Sequence, residues 1–220
     1  MTGRERFDYE LNEISDNLIR MGAAATNAID NALTALKSGD RDLARAVIEG
    51  DREIGELERA IEQKCLRLLL RQQPVASDLR KISTAIKMIT DIERIGDAAA
   101  DIAEISIHLK PDVLPDILED ALNMGKVARD MTAGAIRAYV DEDLVLSGKV
   151  MAMDDLVDKA FLDIRGKIGD RMQKQPEQMD AAMDYLLIIK YLERIGDHAE
   201  NVCEWIEFNQ TGVHKKGKIL

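Results

Sequence analysis

Cysteine is scarce in this chain. There are two in 220 residues, Cys65 and Cys203, one in each half and neither in a CxxC pair. They cannot build a disulfide framework or a structural zinc set, so a reducing compartment is expected, with both thiols as small buried residues. Aromatics make up 4% and there are four prolines. A sandwich or barrel would draw on aromatic and β-branched strands broken by many turns, so those classes are excluded. No apolar run approaches the ~18 residues of a membrane span, and the charged stretch Met1–Leu11 lacks the apolar segment of a signal peptide. Positive charge is in deficit, 30 Lys and Arg against 41 Asp and Glu, for a net charge of -11. That disfavours nucleic acid as a partner. The short basic tail within residues 211–220, His214, Lys215, Lys216 and Lys218, reads as a frayed terminus. There is no GxGxxG, Walker A, GxSxG, HExxH or EF-hand loop. None of the histidines follows a Glu at the Glu-x-x-His spacing of a di-iron bundle. No catalytic residue is expected.

Hydrophobic residues at 46% and charged residues at 32% describe a folded chain rich in helix formers. The spacing of Leu11, Ile14, Leu18, Met21, Ala25, Ile29 and Leu36 predicts a helix over 4–37, ended by Gly39. Asp40 is the N-cap expected for a second, running to Arg71 and stopped by Gln72-Gln73-Pro74. A third runs from about Ser77 to Leu109, before a link bracketed by Pro111 and Pro115. The pattern then repeats. Helices are expected over 116–139, from Asp141 or Asp143 to Gln173, and, after Lys174-Gln175-Pro176, over 177–208. The ten methionines are expected mainly as core filler, and Trp205 and Phe208 as anchors at the end of the last helix.

Glu93-Arg94-Ile95-Gly96-Asp97 recurs verbatim as Glu193-Arg194-Ile195-Gly196-Asp197, on the third helix of each half. Ile89, Ala99 and Glu104 have identical partners at the same offset. Such a repeat marks a duplication. The expected fold is all-α, with two tandem, pseudo-symmetric three-helix bundles of six long helices over residues 1–110 and 115–210.

Glu93, Asp97 and Asp101 stand at i, i+4, i+8 and form one ridge bordering the apolar seam of Ile82, Ile86 and Ile89. Glu193, Asp197 and Asn201 repeat it, and Asp154 and Asp158 form an acidic pair on the preceding helix. Like charges at this spacing repel by about 0.2–0.5 kcal/mol, more near a core, so a bound cation or Arg94 and Arg194 must offset them. Carboxylate and amide oxygens suit hard cations such as Mg, Mn, Ca or iron. The first half has Asp51 but Gly55 where the second acid would fall, so its site is expected to be poorer. Gly96 and Gly196 cost about 0.8–1.0 kcal/mol against Ala in mid-helix. They mark either close helix packing or close approach of a ligand. Read without a cation, the same ridges are solvated faces of a helical scaffold. A carboxylate-metal enzyme would additionally need a positioned acid or base.

The two pentapeptides, Gln73-Pro74-Val75-Ala76-Ser77-Asp78-Leu79-Arg80 and the opening Phe7-Asp8-Tyr9-Glu10-Leu11 resemble the PhoU family of phosphate-transport accessory regulators over essentially the whole chain. The resemblance implies two symmetry-related three-helix bundles and (E/D)xxxD motifs that hold metal clusters in some members. It carries onto Glu93, Asp97, Asp101, Glu193, Asp197 and Asn201, with Asp154 and Asp158 beside them. It implies iron, Mn or Mg at those carboxylates, and a cytoplasmic, homodimeric, non-enzymatic protein at the periphery of membrane complexes. The implied role is negative regulation of phosphate uptake and of the phosphate-starvation response. The implied partners are the ATPase or complex of a phosphate ABC transporter and a membrane sensor histidine kinase.

Overall fold

The computed structural model of the chain describes residues 3–71, 74–214 and 217–218. Gln72, Gln73, Lys215 and Lys216 lie outside the described residues. Six long helices account for nearly all of the described chain: α1 (Gly3–Ser38), α2 (Arg41–Arg71), α3 (Ala76–Ser106), α4 (Pro115–Asp141), α5 (Leu144–Lys174) and α6 (Met179–Thr211). The fold is all-α, in two halves of three helices, as the repeat predicts. A helix of 31 residues such as α2 is about 46 Å long.

Local chemistry sets the boundaries. Asp40 Oδ1 accepts from the backbone N–H groups of Asp42 and Leu43, both at 3.0 Å, and caps α2. Asp143, rather than Asp141, caps α5 through Val145 and Leu146, both at 2.9 Å. Gly39 leaves α1 at φ 68°. Glu142 takes the left-handed conformation after α4 at φ 51°, an uncommon state for a residue with a side chain. The third helix stops at Ser106, short of the expected Leu109. Its apolar pattern runs on because Leu109 and Leu114 are buried in the connection. A short 3₁₀ turn, Pro176–Gln178, precedes α6, which continues past Phe208 to Thr211.

The halves are not separate bodies. α3 packs on α6, α1 on α3, α4 on α6 and α1 on α4, so four helices close a ring around one continuous core. α2 lies against α1 and α3, and α5 against α4 and α6. Position in the ring explains the burial patterns. α2 hides one stripe, including Val47, Ile54, Ile61, Cys65 and Leu68, whereas α3 is buried around much of its girth from Ile82 to Ser106. Glycines permit close crossing of α1 and α4. A Cβ at Gly22 would stand 2.3 Å from Ile136 Cδ1, and one at Gly125 would stand 2.5 Å from Leu33 Cδ2.

At the C-terminus β1 (Val213–His214) pairs antiparallel with β2 (Gly217–Lys218), while Lys215 and Lys216 of the expected basic tail lie outside the described residues. His214 is buried, its ring lies 4.3 Å from the Trp205 ring, and Nε2 is 3.5 Å from Glu204 Oε2. His214 thus covers the aromatic surface that ends α6. Trp205 and Phe208 pack edge to face there at 5.9 Å. Both cysteines are buried thiols, as expected.

Candidate metal centre

The two pentapeptides lie where α3 and α6 cross. Asn201 Nδ2 donates to Asp91 Oδ1 at 3.2 Å, His198 Nδ1 lies 2.9 Å from the same oxygen, and Tyr191 lies near Asp101. These reciprocal contacts make the helices antiparallel, with Gly96 and Gly196 at the centre of the crossing. From there Asp97 lies near Asp51 of α2, and Asp197 near Asp154 and Asp158 of α5, each facing the outer helix of its own half.

In the second half, α5 brings Asp154 and Asp158 against Asp197 of α6. One oxygen from each lies within 4.8 Å of the others, the one such acidic group among the described residues. Gly196 makes this approach possible, since a Cβ there would stand 3.1 Å from Asp154 Oδ1 and 3.3 Å from Val157 Cγ1. Asp154 Oδ1 is buried and has no hydrogen-bond partner. Burial lifts the Asp154 carboxyl to about 6, reinforced by Glu200, Asp158 and Asp197. Asp197 is also pushed up, by lost hydration in the seam and then by Glu193, although the residue as a whole is exposed. A buried, unpartnered carboxylate oxygen beside two like charges is costly by itself and is complementary to a hard cation.

The first half has the same skeleton with different neutralisation. Asp51 Oδ1 is likewise buried and unpartnered, 3.2 Å from where a Cβ on Gly96 would sit. Burial raises the Asp51 carboxyl, followed by Asp97 and Asp101. Arg94 donates to Asp97 at 3.1 Å and lies 3.5 Å from Glu93. Gly55 leaves room that Arg59 approaches, its Nη1 3.6 Å from the place of a Cβ. Two guanidinium groups therefore stand near the first acidic set.

Of the expected ligands, the structure gathers Asp154, Asp158 and Asp197. Glu193 pairs with Lys190, while Asp101 and Asn201 engage the α3–α6 seam. Glu93 and Asp97 are tied to Arg94. The sequence reading missed His198, whose Nδ1 lies 2.9 Å from Asp91 Oδ1 directly beside the acidic ridge. It also missed Glu200, which adds negative potential at Asp154. Both follow from which helices adjoin α6, and helical spacing alone does not reveal that. The donor set, the orphaned oxygen and the glycine notch fit a carboxylate-held cation.

The chain as a whole is similar to known proteins. The PhoU domain model matches residues 18–106 and 121–206, one match on each half. A phosphate-specific transport system accessory protein PhoU homolog from Clostridium acetobutylicum is 36% identical over 95% of this chain and 96% of its own. The Escherichia coli phosphate-specific transport system accessory protein PhoU is 29% identical over 98% of this chain and 92% of its own. The crystal structure of PhoU from Pseudomonas aeruginosa superposes with a TM-score of 0.88 at 31% identity, covering 94% of this chain and all of that one. That from Streptococcus pneumoniae gives 0.87 at 32% identity, covering 94% of this chain and 97% of that one. With both copies of the repeat inside matched segments and the relatives aligned nearly end to end, the chain belongs to the PhoU family.

Proposed function

We propose that this chain is a cytoplasmic negative regulator of phosphate uptake and of the phosphate-starvation response. It acts by contact with a phosphate ABC transporter and a membrane sensor histidine kinase. The observation that carries the reading is the near full-length match to relatives named as accessory proteins of phosphate-specific transport. The long helices offer broad faces for protein contact. No described helix is long and apolar enough to cross a membrane, so association with membrane complexes would be peripheral. A homodimer is part of the reading.

Asp154, Asp158 and Asp197 would hold a hard cation, iron, Mn or Mg, with Glu193 close by on the same ridge. When bound, the cation supplies positive charge to a seam that otherwise concentrates acids. Asp154 positions its buried oxygen through the Gly196 notch, and Asp158 and Asp197 close the exposed side. The first-half set, Glu93, Asp97, Asp101 and Asp51, would bind more weakly because Arg94 and Arg59 compete for it.

Deletion of the gene should derepress phosphate-starvation genes in phosphate-rich medium. Pull-down from phosphate-replete membranes should recover transporter and kinase. Full complementation by a variant that captures neither partner would refute the contact mechanism. Turnover of phosphomonoesters by the purified protein would refute the non-enzymatic reading.

A further inference from the structure

A second feature lies at one end of the four-helix ring, away from the acidic seam. The early turns of α1 and α3 and the last turns of α4 and α6 enclose a cavity of about 390 Å³. Its apolar lining includes Leu11, Ile14 and Ile206. Thr84 of α3 lines it, is 1% exposed, and has no hydrogen-bond partner for its hydroxyl. This departs from the chain's habit. Thr26, Thr34, Thr90 and Thr132 all donate to the carbonyl four residues earlier, at 2.8–3.3 Å. The Thr84 hydroxyl forgoes that bond at a buried position, which is costly unless something else meets it. Asn209 of α6 also lines the cavity, and its buried Oδ1 has no donor.

The duplication sharpens the contrast. Ala85 lines the cavity, and the residue at the same place in the second half, by the offset of 100, is the fully buried Tyr185. A small residue stands where the repeat elsewhere carries an aromatic ring.

We propose that this cavity binds a small uncharged heterocycle bearing N–H donors, of the nucleobase or nucleoside kind. Asn209 Oδ1 is an acceptor awaiting a donor, and the Thr84 hydroxyl can both donate to a ring nitrogen or carbonyl and accept from an N–H. Asn12 supplies a second carboxamide, whose paired donor and acceptor match the amide or amidine edge of such a ring. The apolar walls suit the ring faces, and the volume falls within the range of small-molecule sites. Charge disfavours an anion. Among the described residues Lys81 is the one cation on the lining, against Asp8 and Glu142, and Arg4 lies 3.1 Å from Asp8.

The test is titration of the full chain with adenine, adenosine, AMP and inorganic phosphate, followed by calorimetry and amide NMR. Adenine or adenosine should bind and shift the amides of Thr84 and Asn209, while phosphate does not. Thr84→Val, which keeps the shape and removes the hydroxyl, should weaken binding about tenfold. Ala85→Tyr should abolish it by filling the space as its counterpart does. An unchanged metal titration and melting curve will show that each variant is folded. Three outcomes overturn the proposal: no shift with either uncharged probe at millimolar concentration, binding unaffected by both substitutions, or phosphate binding at the same amides.

Discussion

Gly196 of α6 and Asp154 of α5 are fitted to each other, since a Cβ on the glycine would stand 3.1 Å from the buried Asp154 Oδ1. Gly196→Ala gains about 0.8–1.0 kcal/mol of helix propensity. It must also displace the carboxylate. The variant should melt within a few degrees of wild type while binding Mn²⁺ at least about tenfold more weakly. At Gly96 the obstacle is Ile54 Cδ1, 2.8 Å from where the new Cβ would sit. Gly96→Ala should lower the melting temperature, with overpacking of about 1–3 kcal/mol outweighing the helix gain. Identical behaviour of the two variants would remove the distinction between a ligand notch and a packing notch.

The halves should differ in metal affinity. Calorimetric titration of Asp197→Asn should show loss of the tighter site, and Asp97→Asn should leave it intact, because Arg94 already occupies Asp97. Equal losses would sink the asymmetry.

Metal-free protein should lose stability as pH rises from about 4 to 6. Burial holds the folded Asp154 carboxyl near 6, against 3.8 for the free group. Between those values the folded state retains a proton that the unfolded chain has released. Stability from this group is therefore present at low pH and falls as pH climbs. In chelator at pH 7, Asp154→Asn should melt above wild type with a shallower pH profile. The double variant Glu93→Gln, Asp97→Asn should stay near wild type, because relieved repulsion roughly offsets an exposed Arg94 pair worth about 0–1 kcal/mol. A large fall in its melting temperature would assign those acids a structural role.

The α3–α6 seam depends on Asp91, which meets both His198 and Asn201. Asp91→Ala leaves two polar side chains without their partner and should cost about 1–3 kcal/mol by denaturant unfolding. A loss below about 0.3 kcal/mol would show that water replaces the carboxylate without penalty.

Cys65 should be silent to thiol reagents. Burial pushes its thiol up to about 12, so almost no thiolate is present at neutral pH. Native protein should react with Ellman's reagent only in denaturant; rapid labelling of Cys65 in the folded state would contradict its position in the core.

Much of the architecture was legible because it rests on short-range physics. Apolar spacing, Asp40 as a cap with Asp141 or Asp143 as another, Gly39 and the proline breaks place the helices within a few residues, and the verbatim pentapeptide declares two related halves. The acidic pair Asp154 and Asp158 was legible for the same reason, since helical spacing fixes neighbours on one face. Which face meets which helix is a different matter. Only the packed ring decides that Asp197 joins Asp154 and Asp158, that Asn201 and Asp101 turn into the α3–α6 seam, and that Arg94 screens Glu93 and Asp97. His198 against Asp91 and the cavity beside Ala85 depend on contacts between residues far apart in sequence. Periodicity carries the angle of a side chain around its own axis. It carries nothing about the neighbour's axis, so ligand sets, ion pairs and cavities shared between helices exist only once the helices have packed.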